Sequence, residues 1–284
     1  MIKPILPFVE IMITQACNLS CTGCTNYSDL THKGYLTWNE GKRQIESWLS
    51  RADIPDFGII GGEPLLNPDV RRWVIGLRKL MPTSQLRFTT NGIMLDKNFD
   101  LLDLFAEVGN CVFKITAHTD VDLVIQRVFD NFKWQPIKEF GISRWITDNG
   151  FRFQVNRPDK FLKTYKGDYA NMRPYNSIPE EAFKICCQQT CPLIYNGKLY
   201  KCSTSGLLAD VLAKFDNPNL GQWQPYLIDG LLPTCSDQEL NDFLDNFNKP
   251  HLQCGQCPSD SSGMINHTSN ILEKKIVPSN IRRL

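Results

Sequence analysis

The sequence predicts an α/β fold built on a parallel sheet, a barrel or part of one. Two observations carry this expectation. Apolar strand patterns alternate with amphipathic helix patterns through residues 8–157, as four strand–helix pairs and a fifth strand. Polar and cysteine-bearing motifs follow directly after the strands, where such folds collect their chemistry. The chain has 284 residues, 42% of them apolar, with 16 Phe and 6 Trp, enough for a substantial core.

In order, "FVEIMIT" (8–14) reads as the first strand and "WNEGKRQIESWLS" (38–50) as the first helix. "DFGIIGGEP" (56–64) is a strand running into a glycine pair. "NPDVRRWVIGLRKLM" (67–81) opens with Asn and Pro and spaces apolar residues at 70, 73, 74, 77 and 80, which predicts a capped helix. "QLRFTTNG" (85–92) is a strand, and "KNFDLLDLFAEVG" (97–109) a helix closed by glycine. "CVFKITAHT" (111–119) is a strand in which Cys111 is expected to pack, and "DVDLVIQRVFD" (120–130) the next helix. "GFRFQVNR" (150–157) supplies the fifth strand.

The character changes after about residue 180. "PLIYNGKLYKCS" (192–203) predicts a hairpin turning at Asn196-Gly197. Residues 204–250 are mixed, with a helix expected at 237–248, and "CGQCPSDSSG" (254–263) is rich in Cys, Pro and Gly. "ILEKKIVPSNIRRL" (271–284) reads as a tail or as a strand laid along the body. The expected division is 1–180, 181–260 and a C-terminal tail, 261–284. Trp134, Trp145 and Trp223 are read as core first and as pocket walls second.

Thirty-one Lys and Arg against thirty Asp and Glu give a formal charge of +1, which does not favour a nucleic-acid-coating surface. The N-terminus lacks a long apolar segment with a small-residue cleavage site, and no apolar stretch nears the roughly 20 residues that span a bilayer. A cytoplasmic, reducing setting is therefore expected, with no membrane partner. There the eleven cysteines point to metal ligation or catalysis before disulfides.

"ITQACNLSCTGCTNYSD" (13–29) places Cys17, Cys21 and Cys24 at the spacing C-x3-C-x2-C. Three thiolates on one tight loop can converge on an iron–sulfur cube and leave one iron open to a small molecule. The alternative is zinc, with a fourth ligand from His32 or a distant residue.

This triad, followed by "GGEP" (61–64) and "TTNG" (89–92), resembles the radical S-adenosylmethionine (SAM) superfamily over roughly residues 8–160. The resemblance implies a partial (β/α)6 TIM-like barrel. It also implies a [4Fe–4S] cluster whose open iron binds the amino and carboxylate groups of SAM. Reductive cleavage then yields a 5′-deoxyadenosyl radical that abstracts hydrogen. By the same resemblance, Gly61, Gly62, Glu63 and Pro64 would hold the methionine amino group, with Thr90 and Asn91 close to the cofactor. One departure stands out. The residue before the third cysteine is usually aromatic and packs near the adenine; here it is Gly23, and Tyr27 is the candidate replacement. Lys114, Thr116 and His118 end the fourth strand, and Arg152, Asn156 and Arg157 lie on and beyond the fifth. They are candidates for cofactor or substrate contacts, with His118 and Arg152 as catalytic candidates.

From Cys187 the pattern C-x9-G-x4-C runs through Gly197 to Cys202, and Cys254 and Cys257 add C-x2-C. This resembles the shortened auxiliary-cluster (twitch) domain of the same superfamily and implies a small C-terminal domain with a second [4Fe–4S] cluster. Cys187, Cys202, Cys254 and Cys257 would be its ligands, with the choice among Cys186, Cys187 and Cys191 open. The implied activity is two-electron oxidation of an alcohol on a small molecule, the auxiliary cluster accepting an electron and flavodoxin or ferredoxin supplying the first one. Many peptide-modifying relatives carry a leader-binding domain before the barrel, whereas here the first strand starts near residue 8, which tilts the expectation to a small substrate. The alternatives are peptide or nucleotide modification by crosslinking or epimerisation, the latter with Cys235 or Cys191 as hydrogen donor. A non-catalytic electron-transfer protein is the remaining class, and GGEP and the open iron argue against it.

Overall fold

The computed structural model describes residues 3–28, 34–139 and 142–271. His32 and most of the 271–284 segment lie outside the described residues.

Five of the expected strands form as β1 (Val9–Met12), β3 (Asp56–Ile60), β4 (Gln85–Thr90), β5 (Cys111–Thr116) and β8 (Arg152–Asn156). They pair in parallel in the order β1-β3-β4-β5-β8. The helices α1 (Trp38–Leu49), α2 (Val70–Leu80), α3 (Asp100–Val108) and α4 (Asp122–Asn131) connect them. Thr37 starts α1 with a reciprocal capping box to Glu40, which satisfies backbone donors the helix leaves unpaired.

The sixth parallel strand arrives from an unexpected place. The hairpin β10 (Leu193–Tyr195) and β11 (Lys198–Tyr200) joins the same sheet, β10 lying parallel to β1. Its turn has positive φ at both Asn196 (50°) and Gly197 (78°), the conformation that matches strand twist in a two-residue hairpin. Helix α1 clamps the turn: Trp48 Nε1 donates to Gly197 O at 3.0 Å, and Gln44 Oε1 accepts from Gly197 N at 3.0 Å. At the opposite edge an antiparallel hairpin, β6 (Gln135–Glu139) and β7 (Ile142–Ile146), completes nine strands in the order β11-β10-β1-β3-β4-β5-β8-β7-β6. The result is a mixed α/β partial barrel dominated by parallel pairs.

Strand alternation sorts side chains to the two faces. Leu86, Phe88, Cys111, Phe113, Ile115 and Phe153 turn to the main core under α1–α4. There Phe88, Phe105 and Phe113 pack with ring centroids 5.2–5.3 Å apart. Cys111 is a fully buried packing residue, as expected. Trp134 and Trp145 pack on Phe129 and Phe153, and Trp223 is fully buried with its Nε1 donating to Met172 O at 3.1 Å. None of the three lines the cavity that holds Cys17, Cys21 and Cys24.

A second apolar cluster joins Met12, Ile60, Leu193 and Tyr195 to Leu208 and Leu212 of α6 (Ser203–Lys214), and to Trp223 and Tyr226. Short elements complete this region: α5 (Pro179–Ile185), α7 (Leu220–Trp223) and α8 (Asp237–Asp245), the last capped by a Ser236–Glu239 box inside the expected 237–248 span. The chain then returns to the cysteine loop. Strand β12 (Met264–Asn266) pairs with β9 (Lys160–Leu162), and β13 (Ser269–Ile271) with β2 (Leu19–Cys21). Residues 264–266 and 269–271 are thus paired as strands, while the expected 271–284 tail or strand lies outside the described residues apart from Ile271. Among the described residues, no helix is long and apolar enough to cross a membrane.

Candidate active site with two cysteine-lined cavities

The loop after β1 reaches its position because β3 ends in glycines. A Cβ on Gly62 would lie 2.3 Å from Ala16 O, and one on Gly61 would lie 2.6 Å from Thr14 O. With no side chain in the way, Gly62 N donates to Thr14 O at 2.7 Å and Glu63 N to Ala16 O at 2.8 Å. Asn26 Nδ2 closes the other side on Gly61 O at 3.1 Å. GGEP therefore straps the cysteine loop to the sheet.

Cys17, Cys21 and Cys24 line one end of a cavity of about 430 Å³ over the strand ends. Leu19 N donates to Cys17 Sγ at 3.4 Å and Asn91 Nδ2 at 3.9 Å. Burial, with the Glu63 carboxylate next in effect, pushes the Cys17 thiol far up. Three soft donors lining one cavity, with a backbone N–H on the Cys17 sulfur, fit a [4Fe–4S] cube.

The structure brings Gly61, Gly62, Thr90, Asn91, Lys114, Thr116, His118 and Asn156 to the same cavity. Glu63 is different. Its carboxylate is fully buried and turned away, accepting from Leu65 N at 2.9 Å, Thr90 Oγ1 at 2.7 Å and Asn91 N at 2.7 Å. It ties GGEP to TTNG, and its side chain is not in the cavity lining. Pro64 starts the short turn that follows, also buried. Tyr27 is fully buried, with its hydroxyl 3.5 Å from Thr164 Oγ1, and does not line the cavity.

Three further candidates sit elsewhere. Arg152 is the first residue of β8, at the end of the sheet remote from the cysteines, with Nη1 3.3 Å from Gly150 O. Arg157 is ion-paired with Asp122 at the surface. Cys235 packs against the main core near α8, and its carbonyl accepts from Arg51 Nη1 at 2.8 Å. None of the three lines the cavity.

Gly23 has a physical reason. Its φ is +74°, and a Cβ there would stand 2.9 Å from Ile265 Cδ1 on β12. The C-terminal strands occupy the space an aromatic would need, and Phe161 and Met264 line the cavity from that side.

His118 faces His267, Nδ1 to Nε2 at 3.0 Å, with Phe161 edge-on to both rings. Burial, then His267 and Lys114, lower the His118 pKa to about 4, so the ring is neutral near pH 7. Ligand atoms of Cys21, His118 and His267 lie within 4.8 Å of one another. This brings two histidines to Cys21 alone; Cys17 and Cys24 are not in the group, so it is not the triad-plus-one set of the zinc alternative. Sequence reading missed His267 because nothing local marks it; the β12–β9 and β13–β2 pairings on either side of it, and its own N–H on Asp159 O at 2.9 Å, bring that segment here. Lys114 rises from the sheet opposite Glu10, which burial raises to about 7, and Lys114 is itself lowered by burial. Among the described residues, Lys114 and Lys160 line the cavity and no Asp or Glu does.

A second, narrow cavity is lined by Cys186, Cys187, Cys202, Cys254 and Cys257. Burial pushes the Cys257 thiol well up, and Cys186 up to about 12. A set of five thiols around one cavity, Cys257 buried among them, fits an iron–sulfur cluster. Thr25, Leu162 and Cys187 line both cavities.

The model of the Radical SAM superfamily matches residues 11–140. The GTP 3′,8-cyclase of Rhodopirellula baltica is 33% identical over 171 residues, covering 52% of this chain and 47% of that protein. The GTP 3′,8-cyclase of Chlorobaculum tepidum is 33% identical over 95 residues, 34% of this chain and 28% of that protein. The chain thus spans less than half the length of these curated relatives. Among solved structures, BtrN in complex with AdoMet and 2-DOIA is similar with a TM-score of 0.48 at 14% identity, over 90% of this chain and 94% of that one. Streptococcus suis SuiB bound to precursor peptide SuiA gives 0.30 at 16% identity, over 45% and 36%. With C-x3-C-x2-C, GGEP and TTNG brought together inside the matched segment, residues 11–140 form a radical SAM superfamily domain.

Proposed function

We propose that the chain is a radical SAM enzyme that oxidises an alcohol on a small molecule by two electrons, with a second iron–sulfur cluster as electron acceptor. The shared wall of the two cavities carries this reading. A substrate held over the strand ends would be separated from the second thiol set by little more than Cys187 and Leu162, a short path for an electron.

Cys17, Cys21 and Cys24 would hold the first cluster, which with SAM supplies a hydrogen-abstracting radical when bound. The carbonyl side of Gly61 and Gly62 offers acceptors to the SAM ammonium. Thr116 and Asn156 offer hydroxyl and amide groups to a ribose, and Lys114 a cation to a carboxylate. The neutral His118–His267 pair can take a hydroxyl proton, His118 accepting on one nitrogen while the other side of the pair orients it. Phe161, Met264 and Leu162 give the cavity an apolar wall. A flavodoxin- or ferredoxin-class reductant would supply the starting electron.

A second reading, a nucleotide substrate, is supported by the relatives named GTP 3′,8-cyclase and by Lys114 and Lys160 in the lining of a cavity. Anaerobic reconstitution and incubation with reductant, SAM and candidate substrates decide between them. Alcohol oxidation gives 5′-deoxyadenosine and a product lighter by two hydrogens. A rearranged nucleotide of unchanged mass supports the second reading. Zinc in place of iron, or no SAM cleavage with any substrate, sinks both.

A further inference from the structure

The second cavity has five cysteines around it, one more than an ordinary [4Fe–4S] cube takes. The surplus lies in the adjacent pair Cys186 and Cys187, just beyond the end of α5 at Ile185. Cys186 is extended (φ −69°, ψ 130°), and neighbouring side chains on extended chain point to opposite sides. The two line the same cavity but do not point the same way, so they are not equivalent ligands for one cube.

Three observations tell them apart. Cys186 is half-buried, whereas Cys187 is exposed. Cys186 Sγ accepts the backbone N–H of Gln188 at 3.2 Å. The same two-residue arrangement occurs at Cys17, whose Sγ accepts Leu19 N at 3.4 Å, and Cys254 Sγ accepts His251 N at 3.4 Å. Such N–H groups stabilise a ligating thiolate and tune its cluster. Finally, of the five, only Cys187 also lines the larger cavity, the one that holds Cys17, Cys21, Cys24 and Lys114.

We propose that Cys186, Cys202, Cys254 and Cys257 hold the second cluster, and that Cys187 is an unligated thiol in the wall of the cofactor and substrate cavity. The C-x9-G-x4-C spacing counted from Cys187 becomes C-x10-G-x4-C counted from Cys186, a difference of one residue in the arm before the hairpin. The assignment rests on the two-cluster reading, and its test separates the two.

In the full chain carrying Cys17, Cys21 and Cys24 all as Ala, only the second cluster remains. After anaerobic reconstitution this background should hold about four irons per chain. Adding Cys202→Ser or Cys186→Ser should remove most of that iron, and adding Cys187→Ser should leave it in place. Circular dichroism on each variant separates cluster loss from failure to fold. Iodoacetamide on the reconstituted background, followed by peptide mass mapping, should label Cys187 and spare Cys186. If Cys202→Ser retains its iron, the two-cluster reading falls and the assignment with it. If Cys202→Ser loses iron but Cys187→Ser does too, or Cys186→Ser does not, the two-cluster reading stands and the assignment is overturned. Label on Cys186 in the reconstituted protein overturns it independently of any folding defect.

Discussion

Glu63 and Asn91 are joined across the strand ends, Oε2 of the buried carboxylate accepting the Asn91 backbone N–H at 2.7 Å. Asn91 in turn donates to Asn18 Oδ1 at 2.7 Å and to Cys17 Sγ at 3.9 Å. The glutamate of GGEP thus acts on the cysteine loop through TTNG. Glu63→Ala should destabilise the fold by about 3 kcal/mol, because three buried donors lose their acceptor. Urea unfolding measures this, and a change below about 0.5 kcal/mol would show that water takes over the three donors.

The same residue predicts a pH dependence. Burial raises Glu63 from its ordinary 4.5 to about 7, outweighing its three hydrogen bonds. The folded state therefore keeps a proton that the unfolded chain releases. That contribution to stability is fully present below pH 4.5 and is lost as pH rises through about 7. Glu63→Gln cannot titrate, so the wild type should lose on the order of 3 kcal/mol relative to it between pH 4.5 and 7. Parallel stability curves for the two proteins would refute the assignment; Glu10, also raised, is present in both and cancels.

Gly62→Ala tests the strap. Its Cβ would meet Ala16 O at 2.3 Å, and backbone cannot swing aside as a side chain can. The loop must move, so SAM cleavage should fall at least about tenfold, the cost of misplacing reacting groups by an ångström. The far-UV spectrum should be unchanged. Full cleavage activity would mean that the loop tolerates the shift.

Gly23 explains why the usual aromatic is absent. Gly23→Ala should cost roughly 1–2 kcal/mol from its left-handed backbone, with a further part from the Ile265 contact. Adding Ile265→Ala should recover only that further part. Complete recovery in the double variant would assign the whole cost to the contact and none to the backbone.

Cys235→Ser and Arg152→Gln should leave SAM cleavage within about twofold of wild type, since neither side chain lines the cavity. A loss beyond tenfold with folding intact would place one of them in the chemistry after all.

What the sequence by itself determined was local. Period-two and period-3.6 patterns marked β1, β3, β4, β5, β8 and the four helices between them. The cysteine triad, GGEP and TTNG are short runs whose spacing is their meaning, and Asn196-Gly197 named its own turn. The edge pairing of β10 with β1, the hairpin β6–β7 and the strands β12 and β13 were settled only by tertiary structure. Apart from the local β6–β7 hairpin, those pairings join segments far apart in the chain, and residue periodicity carries no information about partners. The same reason hid the site's second half. His267 meets His118 across 149 residues, and the role of Glu63 depends on groups 27 and 28 residues away. The choice between Cys186 and Cys187 turns on which way a side chain points into a cavity whose walls come from five separate stretches of chain.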